Sequence, residues 1–331
     1  MNIILLSGGS GERLWPLSNN IRSKQFLKIL SNNKSLKHES MFQRMFRMIR
    51  EVEPDARITV AASINQVELI NKQVSDKSFD ISIEPCRRDT FPAIALACAY
   101  LHDIKNINLD ESVIICPVDP YVELEYFLML KELDDYIKNN KAKIALMGVE
   151  PTYPSAKYGY IIPENKDKVS KVLKFKEKPD AETAQKYIDQ GALWNGGVFA
   201  FKLNYILDKA KILLGFNNYE NLFKNYSELP KISFDYAVLE REDINNISVM
   251  RFAGSWKDLG TWNTLTEAMS EYNSGRTVSL YCENTHIINE LDLPLIALGV
   301  KNLAIVATRD GILVTDKSIS DKLKEALELK K

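Results

Sequence analysis

The densest chemistry-bearing stretch is Ser7-Gly8-Gly9-Ser10-Gly11-Glu12-Arg13, directly after an apolar run at residues 3–6. Three glycines within four residues let the backbone approach a ligand closely and turn its N–H groups toward phosphate oxygens. Arg13 and Lys24 add two cations. The combination suits a triphosphate, whose charge must be offset while a phosphorus atom is attacked. The alternative is a tight turn with ordinary surface charges. Two better-known phosphate loops are excluded: the dinucleotide fingerprint needs glycine where Leu14 stands, and a P-loop needs Gly-Lys-Ser/Thr.

Carboxylates supply the next candidates. Asp119 ends the apolar stretch 113–118, where a charge is either desolvated or paired with a cation, unless it simply caps a helix. Asp258 lies between Trp256 and Trp262, in a functional segment or a surface turn. With phosphate oxygens and water, two carboxylates would make the oxygen-rich octahedral site that Mg²⁺ prefers. Glu177 and Lys178 are a carboxylate and a cation side by side, or part of a solvated charge run that includes Lys174 and Lys176. Asn195 and Gly159 could bond a sugar hydroxyl and admit a sugar ring, or could serve only in turns. No nucleophile triad is visible, because His38, His102 and His286 are scattered.

These residues sit within a longer ordered set of motifs. It includes Glu84-Pro85-Cys86-Arg87-Arg88-Asp89-Thr90, Val118-Asp119, Tyr158-Gly159-Tyr160-Ile161 and Phe175-Lys176-Glu177-Lys178-Pro179. It continues through Trp194-Asn195-Gly196-Gly197-Val198-Phe199, Ser233-Phe234-Asp235-Tyr236-Ala237-Val238 and Trp256-Lys257-Asp258-Leu259-Gly260-Thr261-Trp262. Over nearly the whole chain the set resembles the sugar-1-phosphate nucleotidyltransferases, most closely the mannose-1-phosphate guanylyltransferases. The resemblance implies transfer of GMP from GTP to mannose 1-phosphate, giving GDP-mannose and pyrophosphate, with Mg²⁺ as cofactor. It implies catalytic roles for Arg13 and Lys24, and nucleotide binding by Ser7, Gly8, Gly9, Gly11, Glu84, Arg88, Asp89 and Thr90. Gly159, Glu177, Lys178 and Asn195 would hold the sugar phosphate, and Asp119 and Asp258 the metal.

A phosphate with a second pKa of about 6 is mostly a dianion near neutral pH and attacks without a general base. The lack of a triad therefore agrees with the implied reaction. Three departures stand out. Asp89 replaces the family's commoner Asn, Asp119-Pro120 replaces an Asp-His pair, and Trp194-Asn195-Gly196-Gly197-Val198-Phe199 replaces Trp-Asn-Ser-Gly-Met-Phe. The last two touch the sugar side, so a heptose or fucose 1-phosphate, or another NTP, stays open. So does a non-catalytic regulator that binds nucleotide sugars.

The elements that must position these residues follow from hydropathy. Short apolar runs at 3–6, 58–61, 81–83, 113–116 and 144–147 alternate with helical periodicity at 39–52 and 92–101. This predicts an α/β fold with a mostly parallel sheet and helices on both faces, of the Rossmann-like, nucleotide-diphospho-sugar transferase type. Strands at 159–162 and 171–176 and a helix at 181–190 would form the far wall of the cleft. A polar break at 272–276 separates an expected domain, 1–272, from a small C-terminal β element, 277–331, built of five short apolar runs and coiled in the β-helical sense. The charged end, 322–331, reads as a surface tail. A formal net charge of -1 offers no field for nucleic acid, and no apolar run is long enough to span a membrane. Four cysteines without metal-ligand spacing fit a reducing cytoplasm, and a homo-oligomer is compatible with all of this.

Overall fold

A computed structural model describes residues 1–8, 12–19, 22–31, 38–74, 76, 78–140, 142–269 and 271–329. The apolar runs become the strands of one nine-stranded sheet: β1 (Asn2–Leu6), β2 (Arg57–Ser63), β3 (Phe79–Glu84), β4 (Ser112–Pro117), β5 (Ile144–Val149), β6 (Tyr160–Pro163), β7 (Val169–Lys176), β8 (Leu193–Lys202) and β9 (Ile247–Phe252). Their order is β3-β2-β1-β4-β8-β5-β9-β7-β6. Seven strands run the same way, and β7 and β8 run against them.

The central strands β1, β4 and β5 are buried along nearly their whole length because both faces are covered. Successive residues alternate between two buried clusters: Ile3, Leu5, Ile114 and Cys116 enter one, and Ile4, Val113 and Ile115 the other. Helices Met41–Val52 and Leu124–Asn139 cover the first face, and Thr90–Ala99 and Leu203–Leu214 the second. The helix at 41–52 starts where Ser40 and Gln43 form a reciprocal capping box. The helix expected from 92 begins two residues earlier, because the Asp89 carboxylate accepts from Thr90 N and Pro92 is tolerated in the first turn.

From β1 the chain steps outward through β2 and β3, then returns to the other side of β1 as β4. Strand order therefore reverses between β1 and β4, and the crevice beyond their carboxyl ends is where such sheets bind ligands.

The C-terminal residues form a coil of short strands. Thr277–Leu280 pairs in parallel with Leu295–Leu298, and His286–Asn289 with Leu303–Thr308. Val278 lies beside Ile296, Glu283 beside Lys301 and Ile287 beside Ile305, each partner eighteen positions on. That constant offset is one turn of a parallel β-helix, closed by the hairpin from Leu303–Thr308 to Gly311–Asp316. The charged end is not a free tail: a helix at Leu323–Glu328 seats Leu323 in a third apolar cluster. That cluster joins Leu14, Leu17, Leu27 and Leu30 to Leu259 and Trp262, and to Ile288, Ala304, Val306 and Leu313 of the coil.

Candidate active site

β1 delivers Ser7 and Gly8 to the crevice, with Ser7 N held by Ala61 O at 3.0 Å. Gly9 and Gly11, both expected to bind nucleotide, lie outside the described residues. The turn at Lys24–Phe26 supports what precedes them. Gln25, fully buried, donates its amide to Ser7 O at 3.2 Å, Ser7 Oγ at 3.1 Å and Gly8 O at 3.3 Å. Gln66, also buried, donates to Ser23 Oγ at 3.1 Å and so braces the same turn. Neither glutamine stood out in the sequence, although Gln25 adjoins Lys24.

The two aspartates converge as expected. Strand Trp256–Asp258 pairs antiparallel with Pro120–Val122, which sets Asp258 opposite Pro120 and one residue from Asp119. Lys24 Nζ reaches Asp119 Oδ2 and Asp258 Oδ1, each at 3.0 Å. Burial works against the Lys24 charge, but the two carboxylates outweigh it and hold the ammonium above its ordinary pKa. Two oxygens within 3.0 Å of one point can share a small cation after modest side-chain shifts. No group of three or more Asp, Glu, His or Cys is placed to hold a metal among the described residues. Mg²⁺ would fit here with substrate phosphate oxygens and water completing its shell. Gly260 allows the approach, since a Cβ there would stand 3.0 Å from Asp258 Oδ2.

On one side of this centre lies a cavity of about 210 Å³, lined by Ser7, Gly8, Glu84, Arg87, Asp89 and Thr90 among others. Glu84 accepts from Tyr226 Oη at 2.9 Å, and burial raises its pKa. Asp89 adopts φ 69°, an uncommon region for a residue other than glycine, and caps the helix at 90–99. Thr90 Oγ1 accepts from Phe234 N at 2.9 Å. Arg88 is not among the lining residues, and its Nε is buried; the neighbouring Arg87 faces the cavity, as do Gln66 and Lys231.

On the other side a cavity of about 230 Å³ gathers Gly159, Glu177, Lys178 and Asn195 with Asp119 and Asp258. Glu177 is buried and bonded to Lys178, whose charge it stabilises against burial. A Cβ on Gly159 would stand 2.4 Å from Glu177 Oε2, so any side chain there would displace the Glu177 carboxylate. Asn195 N donates to Gly159 O at 2.8 Å, and Asn195 Oδ1 accepts from Gly197 N at 3.1 Å. The ladder between β8 and β5 slips between Asn195 and Phe199, a bulge that re-aims the strand at the cavity. Asn195 Nδ2 donates at 2.7 Å to Asp235, which also lines the cavity; burial, then the charge of Glu177, push its carboxyl up to about 6. Sequence reasoning assigned no role to Asp235, nor to Trp256, whose Nε1 is buried without a partner among the described residues. Asp235 did stand in a matched motif, which was the available signal.

Arg13 is exposed and has no bonded partner among the described residues. It faces a further cavity of about 450 Å³ that Asp258, Tyr158 and Trp256 share. Thus Arg13 flanks the centre while Lys24 occupies it.

The family described as nucleotidyl transferase matches residues 2–275. A mannose-1-phosphate guanylyltransferase of Salmonella montevideo is 29% identical, over 98% of this chain and 73% of that relative. The xanthan biosynthesis protein XanB of Xanthomonas campestris pv. campestris (strain B100) is also 29% identical, over 98% and 72%. Among solved structures, a mannose-1-phosphate geranyltransferase from Thermus thermophilus superposes with a TM-score of 0.79 at 26% identity, covering 99% of this chain and 98% of that one. Among the described residues no helix is long and apolar enough to cross a membrane.

Proposed function

This chain belongs to the nucleotidyl transferase family, and on that premise we propose that it transfers GMP from GTP to mannose 1-phosphate, yielding GDP-mannose and pyrophosphate. The observation that carries the reading is the meeting of Lys24, Asp119 and Asp258 at one point, with both aspartates on the wall of one cavity and with Ser7 and Gly8, braced by Gln25 beside Lys24, on the wall of another. One cavity takes the nucleoside and the other the sugar phosphate. Residues 1–272 act as the transferase domain and 277–331 as its small β domain.

Lys178 pairs with the phosphate of the acceptor, and Glu177 and Asn195 take hydrogen bonds from or give them to sugar hydroxyls. Those contacts aim a phosphate oxygen in line with the α-phosphorus, and positioning is the larger part of such catalysis. Glu84 and the backbone around Asp89 and Thr90 face the base. Ser7 and Gly8 offer backbone donors to the phosphates. Lys24 leaves its aspartate partners for the α-phosphate as negative charge gathers there, and Arg13 offsets the departing pyrophosphate. Mg²⁺, held by Asp119 and Asp258, would supply charge neutralisation across the phosphates. No side chain has to accept a proton, since the attacking phosphate is already anionic.

The test is pyrophosphate release by purified protein given each NTP with a panel of sugar 1-phosphates. GTP with mannose 1-phosphate should turn over at least about tenfold faster than any other pair. A higher rate with a heptose or fucose 1-phosphate, or with another NTP, would reassign the substrate. Binding of GDP-mannose with no turnover of any pair would replace the enzyme by a regulator.

A further inference from the structure

The third apolar cluster adjoins three of the four residues of the catalytic centre, Arg13, Lys24 and Asp258. Leu14 follows Arg13, Leu27 closes the turn opened by Lys24, and Leu259 follows Asp258; all three are buried in that cluster with Ile288, Ala304, Val306 and Leu313 of the C-terminal coil. Polar contacts repeat the pattern. Thr308 Oγ1 donates to Pro16 O at 3.2 Å, and Asn19 Nδ2 to Asp310 Oδ2 at 2.7 Å. Arg22 forks onto Glu290, at 3.0 and 2.8 Å. Trp262 Nε1 donates to Trp15 O at 3.3 Å. Gly311, at φ 148°, lies against the Trp15 indole so closely that a Cβ there would stand 2.4 Å from Cζ2 and 2.5 Å from Cη2.

Residues 14–19 and 22–27 are therefore gripped from two sides. The α/β body holds them through Gln25 and Gln66, and the coil holds them through Thr308, Asp310, Gly311 and Glu290. By contrast, Glu177, Lys178 and Asn195 stand on or beside β7 and β8, whose apolar residues lie in the first two clusters and not in this one. We propose that the C-terminal coil is a positioning clamp for catalysis: Thr308 and Gly311 fix the Trp15-Pro16 segment, and with it the reach of Arg13 and Lys24. The inference rests on the catalytic reading of Arg13 and Lys24 given above.

The contacts are unequal. The exposed Arg22–Glu290 and Asn19–Asp310 pairs contribute little on their own, because exposed pairs are screened and cost side-chain entropy. The buried Thr308 bond and the Gly311–Trp15 approach carry the geometry. Displacing a catalytic group by about 1 Å can cost on the order of 100-fold in rate.

The test uses the full chain and steady-state kinetics with both substrates varied. Gly311→Ala should lower kcat about tenfold or more, with KM for the sugar 1-phosphate within about twofold of wild type. Adding Trp15→Leu removes the ring atoms that the new methyl meets, and should restore kcat to near that of Trp15→Leu alone. Thr308→Val keeps shape but removes the donor to Pro16 O and the acceptor of Asp310 N, and should lower kcat about threefold or more in protein that stays folded at the assay temperature, with a modest fall in melting temperature. If Gly311→Ala fails to fold, Thr308→Val decides. Wild-type kcat in Thr308→Val, no rescue by Trp15→Leu, or a rise in sugar KM as large as the fall in kcat would each overturn the clamp. Lys24→Ala separates the two claims. Activity within twofold of wild type there removes the catalytic reading itself; an inactive Lys24→Ala beside fully active clamp variants removes the clamp alone.

Discussion

In the cavity proposed for the sugar phosphate, Glu177 bonds Lys178, Asn195 bonds Asp235, and Gly159 lies against Glu177. On the nucleoside side, Glu84 is tied to Tyr226 and Asp89 to its own helix, while the phosphate approach is backbone and glycine. The sugar half is a pre-bonded polar network; the nucleoside half is a socket whose Glu84, Asp89 and Thr90 side chains are each tied singly to the surrounding scaffold. A network of mutual hydrogen bonds fixes directions before ligand arrives and penalises any group that fails to complete it. A socket tolerates more variation. The contrast predicts tight control over the sugar and looser control over the base, with Lys24 as the joint between them.

The joint gives the largest expected effect. Lys24→Ala should lower kcat by roughly 10²–10³, about 3–4 kcal/mol, a magnitude typical of removing one charge-stabilising donor. Both KM values should move far less, since neither half is touched. A KM effect confined to one substrate would assign Lys24 to that half and break the symmetry of the scheme.

Next comes Gly159→Ala, which drives a methyl onto Glu177 Oε2. Measured KM for the sugar 1-phosphate should rise about tenfold or more, while KM for the NTP stays within about twofold. Equal rises in both would mean that the halves are mechanically coupled and the contrast is false.

How far the sequence could reach follows the same division. Asp119, Asp258, Glu177, Lys178 and Asn195, which line one cavity, could be singled out because each combines a charged or amide group with a motif in or beside a strand. Gln25 and Gln66 could not, because their importance lies in partners 18 and 43 residues away, which no local pattern encodes, and for Asp235 the motif around it gave no hint of its bond to Asn195, 40 residues away. The alternation of apolar runs revealed an α/β sheet with helices on both faces. It could not reveal that β8 enters between β4 and β5 in reverse, since a strand buried on both faces is equally apolar in either direction. The final helix was misread as a tail because one buried residue, Leu323, anchors an otherwise charged segment.

A smaller effect probes the socket. Tyr226→Phe removes the donor to Glu84, whose burial already raises its pKa. KM for the NTP should rise about three- to tenfold, in keeping with the net worth of one hydrogen bond of about 0.6–1.4 kcal/mol, and sugar KM should not change. Loss of sugar affinity instead would place Glu84 outside the nucleoside half.

The last effect leaves turnover aside and is read in stability, and it tests whether the sugar network is desolvated before ligand binds. Burial and the charge of Glu177 hold the Asp235 carboxyl near pKa 6, against 3.8 as its ordinary value, although Asn195 and Lys178 pull the other way. Between those pH values the folded protein keeps a proton that the unfolded chain has lost. Stability from this group therefore falls as pH rises from about 4 to about 6 and is level above. Asparagine at 235 has no proton to lose and can still accept from Asn195. The melting temperature of Asp235→Asn relative to wild type should accordingly climb across that interval and then plateau, equivalent to roughly 2 kcal/mol once solvent access to a half-buried group is allowed for. A difference independent of pH would mean that Asp235 is as well solvated as an ordinary surface carboxylate. The sugar half would then be no more preset than the nucleoside half.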